Sequence, residues 1–212
     1  MAKIIIFGAG GRAGRAIVQE ARRRGHEVTA AVRNPANHAD LATEGVHVTT
    51  ADVTDPASIA ALAPGHTAAV STVYDPATGP ETFFANTAQA LIEALPKAGV
   101  PRLLVVGLAS ILPTESGELL MDTPDYPQEY RTFYLGHAAG TTTLHTATPS
   151  LDWLVLSPSG DFAYNAPRTG TYRVAPAAAD SRISHPDFAI AVLDEIDTPT
   201  HHHTHIGVET LP

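Results

Sequence analysis

The chain contains no cysteine. That removes disulfides, thiolate catalysis and iron–sulfur ligation together, and it fits a cytoplasmic protein, the location expected here. Lysine is nearly absent, with Lys3 and Lys97 the two in 212 residues. There is no run of roughly 18 apolar residues, so neither a membrane span nor a membrane partner is expected. The N-terminus enters an apolar run directly, with Lys3 as its one early charge, which argues against a secretory signal. The formal net charge is −9, and no basic tail offsets it, which argues against a nucleic-acid partner. What is there suffices for a full core: 212 residues at 44% hydrophobic content are expected to form a single domain over 1–212.

The most informative stretch is the first 33 residues. Ile4-Ile-Ile-Phe7 is a short apolar run of the kind a buried parallel strand needs. It ends in Gly8, Gly11 and Gly14, spaced G-x-x-G-x-x-G. From Arg12 to Arg24, Ala13, Ile17 and Ala21 share one helical face, while Arg15, Arg22 and Arg23 are available to solvent. A second apolar run then ends at Arg33. This is the layout of a dinucleotide site. Glycine lets the strand turn tightly and lets pyrophosphate approach the backbone, and the helix aims its free N–H groups and positive dipole end at the phosphates. The cluster Arg22 to Arg24 reads as a solvated helix end.

The alternation continues. Val46–Thr50 and Thr67–Ser71 read as strands three and four, with a helix between them capped by Asp55 and begun by Pro56. A helix is expected over 81–97, a two-sided buried strand over 102–107, a helix over 128–146 and a sixth strand over 152–157. Such alternation gives an α/β fold with a doubly wound, mostly parallel sheet. Beyond Ser157 the texture becomes loop-rich, with a short strand at Thr171–Val174, a helix capped by Ser184 and a last strand near Thr204–Val208. Ligands of open α/β sheets lie beyond the carboxyl ends of the strands. The irregular segments 112–127 and 157–182 are therefore expected to form the substrate pocket, the second as a small C-terminal substrate region.

Gly8-Ala-Gly-Gly-Arg-Ala-Gly14, Ala31-Val-Arg-Asn-Pro35, Ala51-Asp-Val53, Val105-Val-Gly-Leu-Ala-Ser110 and Leu156-Ser-Pro-Ser-Gly160 give the chain its resemblance to a family. Over nearly its whole length it resembles an atypical short-chain dehydrogenase/reductase. Within that superfamily it is similar to the NAD(P)H-binding branch that includes flavin reductase, biliverdin-IXβ reductase and NADH–flavin reductases. The resemblance implies a Rossmann domain whose glycine loop (Gly8, Ala9, Gly11, Arg12, Ala13, Gly14) holds the dinucleotide. It places Asp52 and Val53 at the adenine, and Ser71, Thr72 and Val73 beneath the ribose and pyrophosphate. Gly107, Leu108, Ala109 and Ser110 would approach the nicotinamide, and Ser157 and Pro158 complete the implied cofactor contacts.

An NAD-selective site puts Asp or Glu at the end of the second strand, on the ribose 2′-hydroxyl. Here Arg33 stands there, with Arg12 as a second candidate, and a guanidinium suits the 2′-phosphate of NADP. NADP(H) is the preferred cofactor, with NAD(H) the alternative; Arg33 could also be a plain solvent-exposed arginine.

Typical members of the superfamily reduce carbonyls with Ser, Tyr and Lys, the last two in Y-x-x-x-K spacing. The lysine lowers the tyrosine pKa so that the phenol can deliver a proton. Ser110 matches the serine and Tyr134 the tyrosine, but the lysine position is Ala138. A ketone needs a placed proton. A flavin, quinone or bilin spreads the incoming charge and can take its proton from solvent. The expectation is therefore an NADPH-dependent reductase of a small, flat conjugated acceptor, with Ser110 as hydrogen-bond donor. Tyr134 and His137 are held in reserve for proton transfer or substrate contact, although His137 reads first as a helix-surface residue. Two other functions fit the same residues: a non-catalytic NADP(H)-binding redox sensor, and a biosynthetic carbonyl reductase or epimerase using unconventional groups. The cluster His201-His-His-Thr-His205 has metal-like composition, but neighbouring histidines on a strand face opposite ways and no acidic partner adjoins them, so no metal is expected. Oligomeric state is not encoded in any pattern found.

Overall fold

Each apolar run becomes a strand and each amphipathic stretch a helix in the computed structural model, which describes residues 1–211. In chain order these are β1 (Lys3–Phe7), α1 (Arg12–Arg23), β2 (Glu27–Val32), β3 (Val46–Thr50), α2 (Pro56–Leu62), β4 (Ala68–Ser71), α3 (Pro80–Lys97) and β5 (Arg102–Val106). Then follow α4 (Arg131–Leu144), β6 (Asp152–Pro158), β7 (Asp161–Phe162), β8 (Arg173–Val174), β9 (Arg182–Ile183), α5 (His185–Asp197) and β10 (Thr204–Glu209). The main sheet runs β3-β2-β1-β4-β5-β6-β10-β8, parallel except for the edge pair β10–β8, and β7 and β9 form a separate two-stranded sheet. The order reverses at β1, where chain connections leave in opposite directions and open a crevice at the strands' carboxyl ends.

The two-residue side-chain period sorts the core. Ile4 and Ile6 face α1 and α5, whereas Ile5 and Phe7 face the layer of α2, α3 and α4. Each is fully or almost fully buried, which stabilises the fold by about 1.5–3 kcal/mol per side chain. The expected caps are present: Asp55 accepts from the Ala57 N–H, and Ser184 from the Asp187 N–H. Helix α4 approaches α3 so closely that a side chain at Gly136 would meet Pro80 Cβ at 2.6 Å.

Three sequence expectations change. The helix expected over 128–146 starts as a 3-10 turn, Gln128–Tyr130, after Pro127, and turns α-helical at Arg131. The strand expected over 171–174 shortens to β8, and β7 and β9 carry no period because each has two residues. Arg24 is not a solvated helix end. Its guanidinium is largely covered and pairs with Glu20 at 2.9 Å, Asp194 at 2.8 Å and Asp197 at 2.9 Å, tying α1 to α5. Glu20 is itself buried; burial would raise its pKa, but Arg23 and Arg24 pull it down to about 2.

Candidate active site

The turn after β1 is built by what its residues omit. Gly8 has φ of +80°, a backbone that L side chains rarely adopt. A side-chain carbon at Gly14 would overlap the Gly8 carbonyl oxygen and lie 2.8 Å from Ala9 Cα. Without one, α1 docks directly on the turn. Gly11, which lines the crevice, is the N-cap of α1, and no side chain caps it, so the first turn of this 12-residue helix has no side-chain acceptor for its N–H groups.

A cleft of about 800 Å³ opens there. Among the residues that the sequence singles out, Gly8, Gly11, Arg33, Asp52, Val53, Thr72 and Val73 line it. Its lining also includes residues that the sequence did not single out: Asn34, Asn37 and His38 beside Arg33, and Tyr74, Asp75, Thr78, Phe83 and Asn86 across from it. Asn34 had a readable signal, since Asn before Pro35 is a capped turn, and its side chain accepts from the Ala36 N–H. Arg33 is mostly exposed and pairs with Asp75 at 3.1 Å. Behind it, the Arg15 guanidinium pairs with Asp40, lies 3.2 Å from His38 Nδ1 and donates to the Gly10 carbonyl at 3.0 Å.

Other singled-out residues sit elsewhere. Ala9 and Gly14 are buried behind the turn, and Ala13 is half-buried in the first turn of α1. Arg12 does not join Arg33; its guanidinium stacks over the Tyr164 ring at 4.9 Å, so it belongs with the 157–182 segment. Ser71 ends β4 buried, and with Gly107 and His137 it lines a second cavity of about 30 Å³ between the sheet and α3 and α4. Thr87 Oγ1, at the same cavity, is buried without a partner among the described residues.

The edge over β5 and β6 is more closed. Leu108 precedes a 3-10 turn that buries Ala109 and Ser110, and Ser110 Oγ has no hydrogen-bond partner among the described residues. Gly107 leaves room for Ser157 Oγ, 2.6 Å from where its Cβ would be, and Ser157 Oγ lies 2.7 Å from His205 Nε2, with Pro158 following in β6. Burial pushes His205 down to about 4. His137 is not a surface histidine: its ring packs 3.8 Å from Phe84 and 4.9 Å from Phe133, centroid to centroid. Burial, with His205 nearby, pushes it down to about 3. Tyr134 is buried and its pKa is raised by that burial and by Glu129. Tyr126, 5.4 Å from it between ring centroids, is pushed up to about 12 by burial. The segments 112–127 and 157–182 do meet here, since Tyr126 packs on Ala109, Leu112, Leu120 and Ala177.

The C-terminal histidines separate. His201 Nδ1 lies 2.6 Å from Glu195, His202 Nδ1 2.8 Å from Asp152, and His203 Nε2 3.1 Å from the Leu151 carbonyl. Acidic partners absent in sequence are thus supplied by the fold to His201 and His202, together with Arg102, which pairs with Asp152 and Glu195 at 2.7 and 3.1 Å. Among the described residues, no group of three or more His, Cys, Asp or Glu is placed to hold a metal ion, and no helix is long and apolar enough to cross a membrane.

The glycine cradle and the crevice at the strand-order reversal are what a dinucleotide needs, and the sequence model of the NAD(P)H-binding family matches residues 8–199. The chain belongs to that family. It is 38% identical to the uncharacterized protein YwnB of Bacillus subtilis over 211 residues, 94% of each chain. Among solved structures, a Burkholderia pseudomallei protein provisionally named as exported shares 37% identity at a TM-score of 0.85, over 99% of this chain and 100% of that one. A Streptococcus pneumoniae protein provisionally named an NADH-flavin reductase shares 30% identity at a TM-score of 0.82, over the whole of both chains. The Streptococcus pneumoniae protein agrees with the flavin-reductase-like resemblance, and both solved structures agree with the Rossmann-like sheet.

Proposed function

We propose that the protein is a cytoplasmic NADPH-dependent reductase of a small, flat conjugated acceptor. The observation that carries this reading is the chemistry around Tyr134. Ala138 stands where a lysine would lower its pKa, and burial instead raises it, so the phenol is a poor acid. His137 and His205 are neutral at physiological pH for the same reason. No side chain here is tuned to protonate an alkoxide, which favours acceptors that delocalise charge.

The fit of the cofactor rests on the glycine cradle and on Ser110. Gly8 to Gly11 and the N-terminus of α1 would hold the pyrophosphate, Asp52 and Val53 would flank the adenine, and Thr72 and Val73 would run under the ribose. Arg33 would take the 2′-phosphate, with Asn34, Asn37 and His38 around it. A bound reduced nicotinamide supplies the hydride. The chain's part is to place it and keep water away: the unpartnered Ser110 Oγ would donate to the nicotinamide amide or the acceptor.

The test follows the absorbance of reduced nicotinamide with FMN, quinones, redox dyes and simple ketones. Turnover is expected with the conjugated acceptors, faster with NADPH than with NADH, and none with simple ketones. Tight NADPH binding without turnover on any of them would replace this reading with a redox sensor.

A further inference from the structure

We propose that Asp75 is a built-in competitor for the cofactor's 2′-phosphate, so that the Arg33–Asp75 ion pair sets how strongly the protein prefers NADPH over NADH. The inference rests on the assignment of Arg33 to the 2′-phosphate.

Arg33 is the first residue after β2, and Asp75 lies four residues beyond the end of β4. In the sheet, β1 separates those strands, so the two residues rise from points two strand spacings apart, about 10 Å. Both line the same cleft, and Arg33 Nη1 meets an Asp75 carboxylate oxygen at 3.1 Å. The pair therefore bridges the carboxyl end of β1, where the Gly8 turn begins.

The carboxylate does not depend on Arg33 for its position. The Ala77 N–H donates to it at 3.1 Å, and the Thr78 N–H donates to the Asp75 carbonyl at 3.2 Å, closing the turn. The Ala77 bond, and after it Arg33, keeps this carboxyl below its ordinary range, so it is anionic at neutral pH. A fixed anion thus occupies the guanidinium that a phosphate dianion would need. A phosphate arriving at Arg33 either displaces the carboxylate or sits beside it against like-charge repulsion. A ribose bearing a 2′-hydroxyl meets neither cost. The ion pair disfavours NADPH relative to NADH, while Arg33 favours it, and the observed preference is the difference.

The test is a set of titrations of the whole chain with NADPH, NADH, 2′,5′-ADP and 5′-AMP, for wild type, Asp75→Asn, Arg33→Gln and the double variant. Asparagine keeps the Oδ1 acceptor for the Ala77 N–H, so the turn is retained, which an unchanged melting temperature checks. Asp75→Asn is expected to tighten NADPH and 2′,5′-ADP by about two- to fivefold, the range of an exposed ion pair, with NADH and 5′-AMP unchanged within about twofold. The gain should shrink with added salt and vanish in the Arg33→Gln background. If Asp75→Asn weakens NADPH or leaves it unchanged while Arg33→Gln weakens it, the competitor role is overturned and Asp75 only steadies Arg33. If Arg33→Gln leaves NADPH and 2′,5′-ADP untouched, the assignment of Arg33 fails instead, and the competitor role falls with it.

Discussion

Over β1, β2 and β4 the carboxyl edge of the sheet is open and polar: glycines keep side chains out of the turn, and Arg33, Asn34, His38 and Asp75 line a cleft of about 800 Å³. Over β5 and β6 the same edge is closed, and the cavity beneath it is lined largely by apolar side chains. His137 and His205 are held neutral by burial, Ser110 Oγ is buried unpartnered, and the cavity beside them measures about 30 Å³. One half receives charge through backbone and solvent-screened side chains. The other presents mainly apolar and neutral side chains, the surroundings that the proposed hydride transfer between flat rings would need. Specificity for a phosphate can be set by exposed groups, whereas a closed reaction surface requires packing from α3, α4 and two long loops.

The strongest way to break that contrast is at the cradle. Gly14→Val would drive a side chain into the Gly8 carbonyl and Ala9. Overpacking of this kind costs about 1–3 kcal/mol, and NADPH affinity should fall more than about tenfold in a fluorescence titration because the turn itself is displaced. Wild-type binding by that variant would show that the backbone does not hold the phosphates.

Away from the cradle, Asp187 tests how the segment 157–182 is held. It is fully buried and accepts from the Thr169 and Gly170 N–H groups at 2.9 Å and from the Ser184 hydroxyl at 2.8 Å. Asp187→Ala should cost about 2–3 kcal/mol in urea unfolding, because buried donors lose a charged acceptor. If the more closed half is the acceptor site, kcat/KM for the acceptor drops while the NADPH Kd holds. An equal loss of both would merge the two regions.

The neutral histidines predict a pH dependence. In the unfolded chain each takes a proton near pH 6.5, but the fold resists protonation of His205 to about 4 and of His137 to about 3. The unfolded state then binds more protons, so stability is complete above about pH 6.5 and is lost as pH falls towards 4 and 3. Each such histidine contributes about 1.4 kcal/mol per pH unit at most. Glu20 and Glu195, both near pKa 2, add their loss only below about pH 4.5. Urea midpoints across pH should decline before the carboxylates titrate, and His137→Phe should flatten that first decline by one proton.

The smallest stability effect belongs to Ser110→Ala. Its hydroxyl has no partner among the described residues, so unfolding should shift by no more than about 0.5 kcal/mol, while acceptor kcat/KM falls about tenfold. A stable variant with unimpaired turnover would remove Ser110 from the reaction.

The cradle was legible because it is local: Gly8, Gly11 and Gly14 act through backbone conformation and close approach within seven residues. The place of Arg33 in the cleft was legible for the same reason, as the residue that follows a strand directly. Asp75, His38 and Asn86 were not, since each reaches the cleft from a loop or helix whose direction no period encodes. His137 read as a surface residue because α4 shows no strong apolar stripe; its burial comes from Phe84 and Phe133. Arg24 failed likewise, its partners Asp194 and Asp197 lying about 170 positions away.

Sequence alone determined the alternation of strands and helices, the glycine turn and the missing lysine, because period, φ > 0 and a spacing of four are properties of neighbours along the chain. The tertiary structure decided which groups share a dielectric. It buried His137 and His205 into neutrality, gave His201 and His202 their carboxylates, and set Asp75 against Arg33 across β1. Solvation and charge pairing are fixed only when distant segments meet.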